Sequence, residues 1–201
     1  VDALVFGIGG AEFGIIGVLC LPFVLLLIPA LLVMTSYNRF VRQRTLVSES
    51  WGQTDVELTR RHDLIPNLVR TVQGYAAHEH EVLERLTLAR EAATAHRSEP
   101  PGNRQSYEES LGGAVQEVFV RAEAYPDLKA SANFLQLQRE LTVTEDRIAA
   151  ARRFYNGNVR AYNTRCATFP SNIVASLFSF RPAQFFELRD PAARQAPSTG
   201  Y

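Results

Sequence analysis

The sequence predicts an all-α protein: a single N-terminal transmembrane helix continuing into an antiparallel bundle of four long helices, closed by a short C-terminal apolar helix. Three observations carry this expectation. Residues 13–34 contain no charged side chain and are dominated by Leu, Ile and Val. From Tyr37 onward, apolar and aromatic residues recur at seven-residue spacing, without the strict two-residue alternation of a half-buried strand. Strong turn signals are few, and each stands where one apolar stripe ends and another begins.

The apolar run is long enough to cross a hydrocarbon core of roughly 30 Å as a helix. A span over 13–36 follows, preceded by a short extracytoplasmic segment, 1–12. Pro22 and Pro29 are tolerable inside a membrane helix. Tyr37 and Phe40 stand where an interfacial aromatic belt belongs, followed by Arg39, Arg42 and Arg44. A cleaved signal peptide fits less well, because no basic residue precedes the run and no small-x-small site follows it. A lipoprotein reading through Cys20 fails at Leu19, where a small residue is needed. The arginines after the span place the following bundle in the cytoplasm of a single-pass cell-membrane protein.

The first helix is expected to run on to about Arg61, with Tyr37, Arg44, Trp51 and Leu58 on one stripe. Arg60, Arg61, Asp63 and Pro66 then form a structural vertex. Asp63 serves as N-cap of a second helix, and Pro66 lies in its first turn, where a missing N–H costs little. That second helix places Leu68, Val72, Tyr75, Glu79, Val82, Leu86, Ala89 and Ala93 on one side and ends near His96, before Ser98-Glu99-Pro100-Pro101-Gly102-Asn103. A third helix spans 105–124 and stops at Tyr125-Pro126-Asp127. The fourth begins near Leu128 or Ser131 and runs to Thr168, with Phe134, Leu141, Ile148, Tyr155, Tyr162 and Phe169 at heptad spacing. It is expected to be the longest element of the bundle, which spans 37–169. An apolar membrane-proximal docking segment follows at 170–188, and a disordered tail at 189–201.

Several blocks stand out as written: YNRFV at 37–41, WGQTD and RRHDLIPNLV within 51–69, and GYAAHE at 74–79. Further along are AEAYPDLKAS at 122–131, NFLQLQRELTVTEDRIAAARRFYNGNVRAYN at 133–163 and FPSNIVASLFSF at 169–180. In these blocks, which are spread in order over about three quarters of the chain, the sequence closely resembles the LemA family of bacterial membrane proteins. The resemblance implies an N-terminal membrane anchor and an antiparallel helical bundle. It implies no catalytic residues, since the family has no established reaction to carry over. Its members occur in more than one envelope setting, some with lipoprotein-like N-termini.

Composition and motifs narrow the chemistry. The 21 basic and 21 acidic side chains cancel, so nothing favours nucleic acid as a partner. Two distant cysteines, Cys20 and Cys166, support neither a disulfide framework nor a zinc cluster. His78 and His80 are two residues apart on an expected helix, on opposite sides of its axis, so they cannot chelate one ion. No P-loop, dinucleotide fingerprint, triad or CxxC occurs, and no metal, cofactor or catalytic residue is assigned. Glu79, an acid at an apolar phase, reads as a buried polar group paired across the bundle with Arg152 or Tyr155, setting register. Asn133, Asn156, Asn158 and Asn163 read as interhelical hydrogen-bonding residues.

The segment 169–186 packs Phe169, Ile173, Leu177, Phe178, Phe180, Phe185 and Phe186 into a stretch too short to cross a bilayer. Counting helix reversals puts it beside Tyr37, where part of it is expected to pack on the bundle base and the rest to contact membrane lipids or a neighbouring subunit. The function predicted is a membrane-anchored helical-bundle scaffold that self-assembles into homo-oligomers or associates with other membrane proteins. The alternative is an accessory subunit or enzyme in membrane proteolysis or envelope modification, which a concave pocket with paired titratable groups would favour.

Overall fold

The computed structural model describes residues 10–76 and 79–187, and side chains from residue 25 onward within those limits. It contains six helices, α1 Gly10–Gln73, α2 His80–Ala95, α3 Pro101–Ala122, α4 Pro126–Ala130, α5 Ala132–Ala167 and α6 Ser171–Leu177, and no strand among the described residues. Residues 1–9, which hold most of the expected extracytoplasmic segment 1–12, lie outside the described residues, as do Ala77, His78 and residues 188–201, which include the whole expected tail 189–201.

The expected vertex at Arg60–Pro66 does not form. α1 runs through it without a break for 64 residues, because its buried stripe does not stop there. Phe40, Thr54, Arg61 and Leu68 stay buried on one seven-residue phase, with Val47 partly so, and Leu58, Ile65 and Val72 stay buried on the other. Pro66 removes the N–H that would reach the His62 carbonyl one turn earlier. That carbonyl instead accepts from Arg90 Nε of α2 at 2.9 Å. Asp63, exposed in mid-helix, caps nothing. The reversal comes ten residues later, after Gln73, where Gly74 follows an Arg in the last helical turn.

The remaining ends follow the expected signals more closely. α3 opens with Pro101 at its first position. Tyr125, extended ahead of proline, separates α3 from the five-residue α4. Ser131 breaks α4 from α5, and α5 ends at Ala167, before Phe169-Pro170. The bundle therefore differs from four long helices: α1 and α5 are long, while α2 and α3, at 16 and 22 residues, form a shorter hairpin. α5 has 36 residues and is not the longest element; α1 is.

Antiparallel α1 and α5 form the spine. At one end the α2–α3 hairpin packs on it around Ile65, Leu68, Leu86, Leu111, Val115, Phe134 and Leu141. At the other end two helices alone cannot bury Phe40, Leu58, Ile148, Tyr155, Val159 and Tyr162. There α6 and the extended stretch 180–187 complete the core, contributing Val174, Ala175 and Phe186.

The predicted membrane span is not shown by this architecture. Among the described residues no helix is long and apolar enough to cross a membrane. The apolar run up to residue 24 has its side chains outside the described residues, and the part that remains, Leu25–Met34, is by itself too short. That part is exposed: Leu25, Leu26, Ile28, Leu31, Leu32 and Met34 are open over half or nearly half of their surface.

Candidate functional site

Two assemblies of side chains hold the molecule together. The first is a buried charge knot where α1, α3 and α5 meet. Arg61, read as part of a vertex, is 1% exposed. Its guanidinium donates to Glu108 Oε2 at 2.7 Å, to the Glu108 backbone carbonyl at 3.0 Å and to Glu145 Oε1 at 2.8 Å. His62 Nε2 lies 3.1 Å from the same Glu108 oxygen. Arg104 bridges Asp55, at 2.8 Å, and Glu108, at 3.3 Å, while its guanidinium lies over the Trp51 ring.

Burial pushes the Glu108 carboxyl up, but the His62 hydrogen bond and the Arg61 charge outweigh it and hold it below the ordinary carboxylate range. Asp55 is likewise held down against burial by Arg104 and Arg97. Paired charges of this kind fix register, since losing one partner strands the other in a low-dielectric interior. Arg61 and Glu108 are enclosed at the centre of the knot, while Glu145 and Asp55 are partly exposed at its rim. Arg60 and Asp63 point outward from the same stretch.

The second assembly lies at the Tyr37 end. α6 terminates in a Schellman motif: Phe180 N–H donates to Ala175 O at 2.9 Å and Ser179 N–H to Ser176 O at 3.3 Å. Ser179 takes the left-handed position, φ 57°. The chain then runs extended along the α1–α5 groove, and α5 clamps it through its backbone. Asn163 Nδ2 donates to Ala183 O at 2.9 Å while its Oδ1 accepts from Ala183 N–H at 2.8 Å. Asn156, two turns earlier, repeats this with Phe186, at 2.9 and 3.0 Å. Between them Tyr155 Oη donates to Gln184 O at 2.7 Å. Burial pushes that phenol up to about 12, so it remains a donor.

The clamp divides the seven residues proposed for contact. Phe186 is fully buried against Trp51 and Leu58, Phe180 stacks on Phe40 with ring centroids 4.7 Å apart, and Phe185 is partly buried. Phe169, Ile173, Leu177 and Phe178 remain outside, at 76%, 57%, 69% and 44% exposure. Phe178 and Phe180 both meet Tyr37, at 4.9 and 5.6 Å, so the segment does sit beside the start of the bundle. Asn156 and Asn163 hold the chain end, where interhelical bonding was expected. Their signal in the sequence is the seven-residue spacing that keeps both beside the buried Tyr155–Tyr162 stripe.

Glu79 is at neither assembly. It is half-buried in the connection between α1 and α2, and accepts from Tyr125 Oη at 2.9 Å. The expected partners Arg152 and Tyr155 lie far along α5, so Glu79 bridges two connections rather than two helices. The reason is the displaced vertex, which takes residue 79 out of a helix. Burial raises the Cys166 thiol, disfavouring the reactive thiolate. Among the described residues no group of three or more His, Cys, Asp or Glu is placed to hold a metal ion.

Known proteins are similar to this chain along most of its length. The model of the LemA family matches residues 50–201. Protein LemA of Metamycoplasma hominis is 28% identical over 152 residues, covering 75% of this chain and 68% of that protein. Magnetosome protein MamQ 2 of Paramagnetospirillum magneticum is 24% identical over 179 residues, covering 77% and 66%. Magnetosome protein MamQ of Magnetospirillum gryphiswaldense is 22% identical over 178 residues, covering 77% and 65%. The chain thus spans about two thirds of the length of these relatives.

Proposed function

The chain belongs to the LemA family, and from that premise we propose that it is a membrane-anchored scaffold, working by association with copies of itself or with other envelope proteins and catalysing nothing. The observation that carries this reading is the continuity of α1. One unbroken helix joins the charge-free run at 13–34 to the bundle, and in the described part of that run the leucines are 43–75% exposed. Such a surface needs an apolar environment, and a bilayer supplies it. A rigid rod leaving the membrane then carries the α2–α3 hairpin away from it at a fixed height.

An enzymatic reading needs titratable groups converging in an accessible cleft. The converging groups here, Arg61, His62, Arg104 and Glu108, are enclosed between helices, which favours the scaffold. In situ crosslinking of the full chain in native membranes, after a carbonate wash, tests the proposal. The expected result is retention in the washed membrane and a ladder of crosslinked species containing the chain. Release by carbonate sinks the anchor; a chain that stays monomeric and captures nothing sinks the scaffold.

A further inference from the structure

The exposed residues of α6 and its flanks share one direction and one neighbourhood. Ile173 and Leu177 are four apart and so share a helix face, while Val174 and Ala175 on the opposite face are buried against Phe40 and Tyr162. Phe178, at the end of the helix, touches Tyr37 edge-on, and Tyr37 follows the outward-facing Leu25–Met34 by one helical turn. The apolar face of α6 therefore continues the exposed apolar surface of α1 at the level where that surface gives way to polar residues.

Charge is segregated to match. Residues 35–48 and 154–186, which build this end, contain six arginines, at positions 39, 42, 44, 160, 165 and 181, and no Asp or Glu; the acids that adjoin them are Glu49, which shares a concavity with Tyr37 and Phe180, and Glu187. Residues 49–153, which build the remainder, contain 17 acidic and 13 basic side chains. The neutral chain thus has one basic end, and the unpartnered aromatic and aliphatic face lies on it. A second protein copy would bring the same six arginines against these six. An anionic lipid surface complements both the charge and the shallow apolar face.

We propose that the outward face of α6, with Phe169, Ile173, Leu177 and Phe178, is a lipid-binding foot that inserts shallowly into the anionic headgroup layer and seats the bundle beside its own α1. The inference rests on the membrane-anchored reading and adds a second point of attachment. Two attachments fix the tilt and rotation of the bundle, whereas a lone helix leaves it free to swing. The clamp by Asn156 and Asn163 gives the foot a rigid mount, because it holds the stretch following α6 on the same helices that hold Phe40.

The test uses the full chain, with Cys20 and Cys166 replaced by Ala, in vesicles of phosphatidylcholine with phosphatidylglycerol. Single spin labels are placed at Ile173→Cys, Leu177→Cys, Ile28→Cys and Val120→Cys, all exposed positions. Their accessibilities to oxygen and to a water-soluble nickel chelate are compared. Labels at 173 and 177 are expected to be oxygen-accessible and several-fold more protected from nickel than the label at 120, at a depth shallower than that at 28. In vesicles of phosphatidylcholine alone the protection at 173 and 177 is expected to fall. Nickel accessibility at 173 equal to that at 120 places α6 in water and overturns the foot. Protection from both reagents means that protein, such as a second copy, covers the face, and overturns it equally. The label at 28 judges the anchor separately: nickel-accessible there, it overturns the anchored reading whatever the labels on α6 report.

Discussion

Pro66 survives inside a helix because a side chain from elsewhere takes the carbonyl it frees. Arg90 Nε bonds His62 O, so Arg90→Ala leaves a part-buried acceptor unmet and is expected to destabilise by about 1–3 kcal/mol. In a Pro66→Ala background the helix supplies its own N–H, and the same substitution is expected to cost less. A double-mutant cycle by urea denaturation reads the difference, and strict additivity would exclude the rescue. Glu108 is the other residue on which much depends. Its folded-state pKa is depressed, so its contribution is complete above the ordinary carboxylate value, about 4.3, and is lost as pH falls through its lower folded value. Glu108→Gln is expected to destabilise at pH 7 by about 3 kcal/mol, because buried Arg61 and Arg104 then share only the partly exposed Glu145 and Asp55 as counter-ions. Thermal melts from pH 7 to 3 should then show a shallower acid limb in the variant than in the wild type. An unchanged acid limb would mean that Glu108 is already protonated in the fold.

At the scale of elements, periodicity was the most legible signal. The α5 stripe Phe134, Leu141, Ile148, Tyr155 and Tyr162 is buried as its spacing predicts, and the Pro-containing breaks at Ser98–Asn103 and Tyr125–Asp127 end helices. The vertex was misread because Asp63 and Pro66 form a valid local start signal, while the stripe Leu58, Ile65, Val72 continues across it unbroken. Tertiary support from Arg90, distant in sequence, decides between the two, and spacing alone does not display it. The clamp was partly hidden for the same reason: heptad phase puts Asn156 and Asn163 beside the Tyr155–Tyr162 stripe, but not which backbone they meet. Each amide engages both polar atoms of one residue in 180–187. Asn163→Ala is expected to cost about 1–3 kcal/mol and to act locally. Hydrogen exchange at Ala183 should accelerate by orders of magnitude while amides around Leu111 keep their protection. If both regions lose protection together, the stretch is part of the cooperative core and not a separately opening strap.

The whole molecule is a polarised rod, with an apolar and basic end at Tyr37 and α6 and an acidic hairpin at the far end. Three of the six arginines that complement an anionic surface also bear on topology. Basic residues flanking a span are retained on the cytoplasmic side, and Arg39, Arg42 and Arg44 lie directly after the run at 13–34. On the proposed membrane-anchored reading these three predict one orientation, with the bundle in the cytoplasm. The turn between α2 and α3 is the place to read it, since Arg97 and Ser98 are exposed there. With Cys20 and Cys166 replaced, Ser98→Cys in intact cells is expected to resist a membrane-impermeant maleimide and to react fully once the cells are opened. Reaction before opening would place the bundle outside and leave the basic end to meet the outer leaflet instead. It would then make the arginines an adaptation for binding the surface and not a determinant of topology.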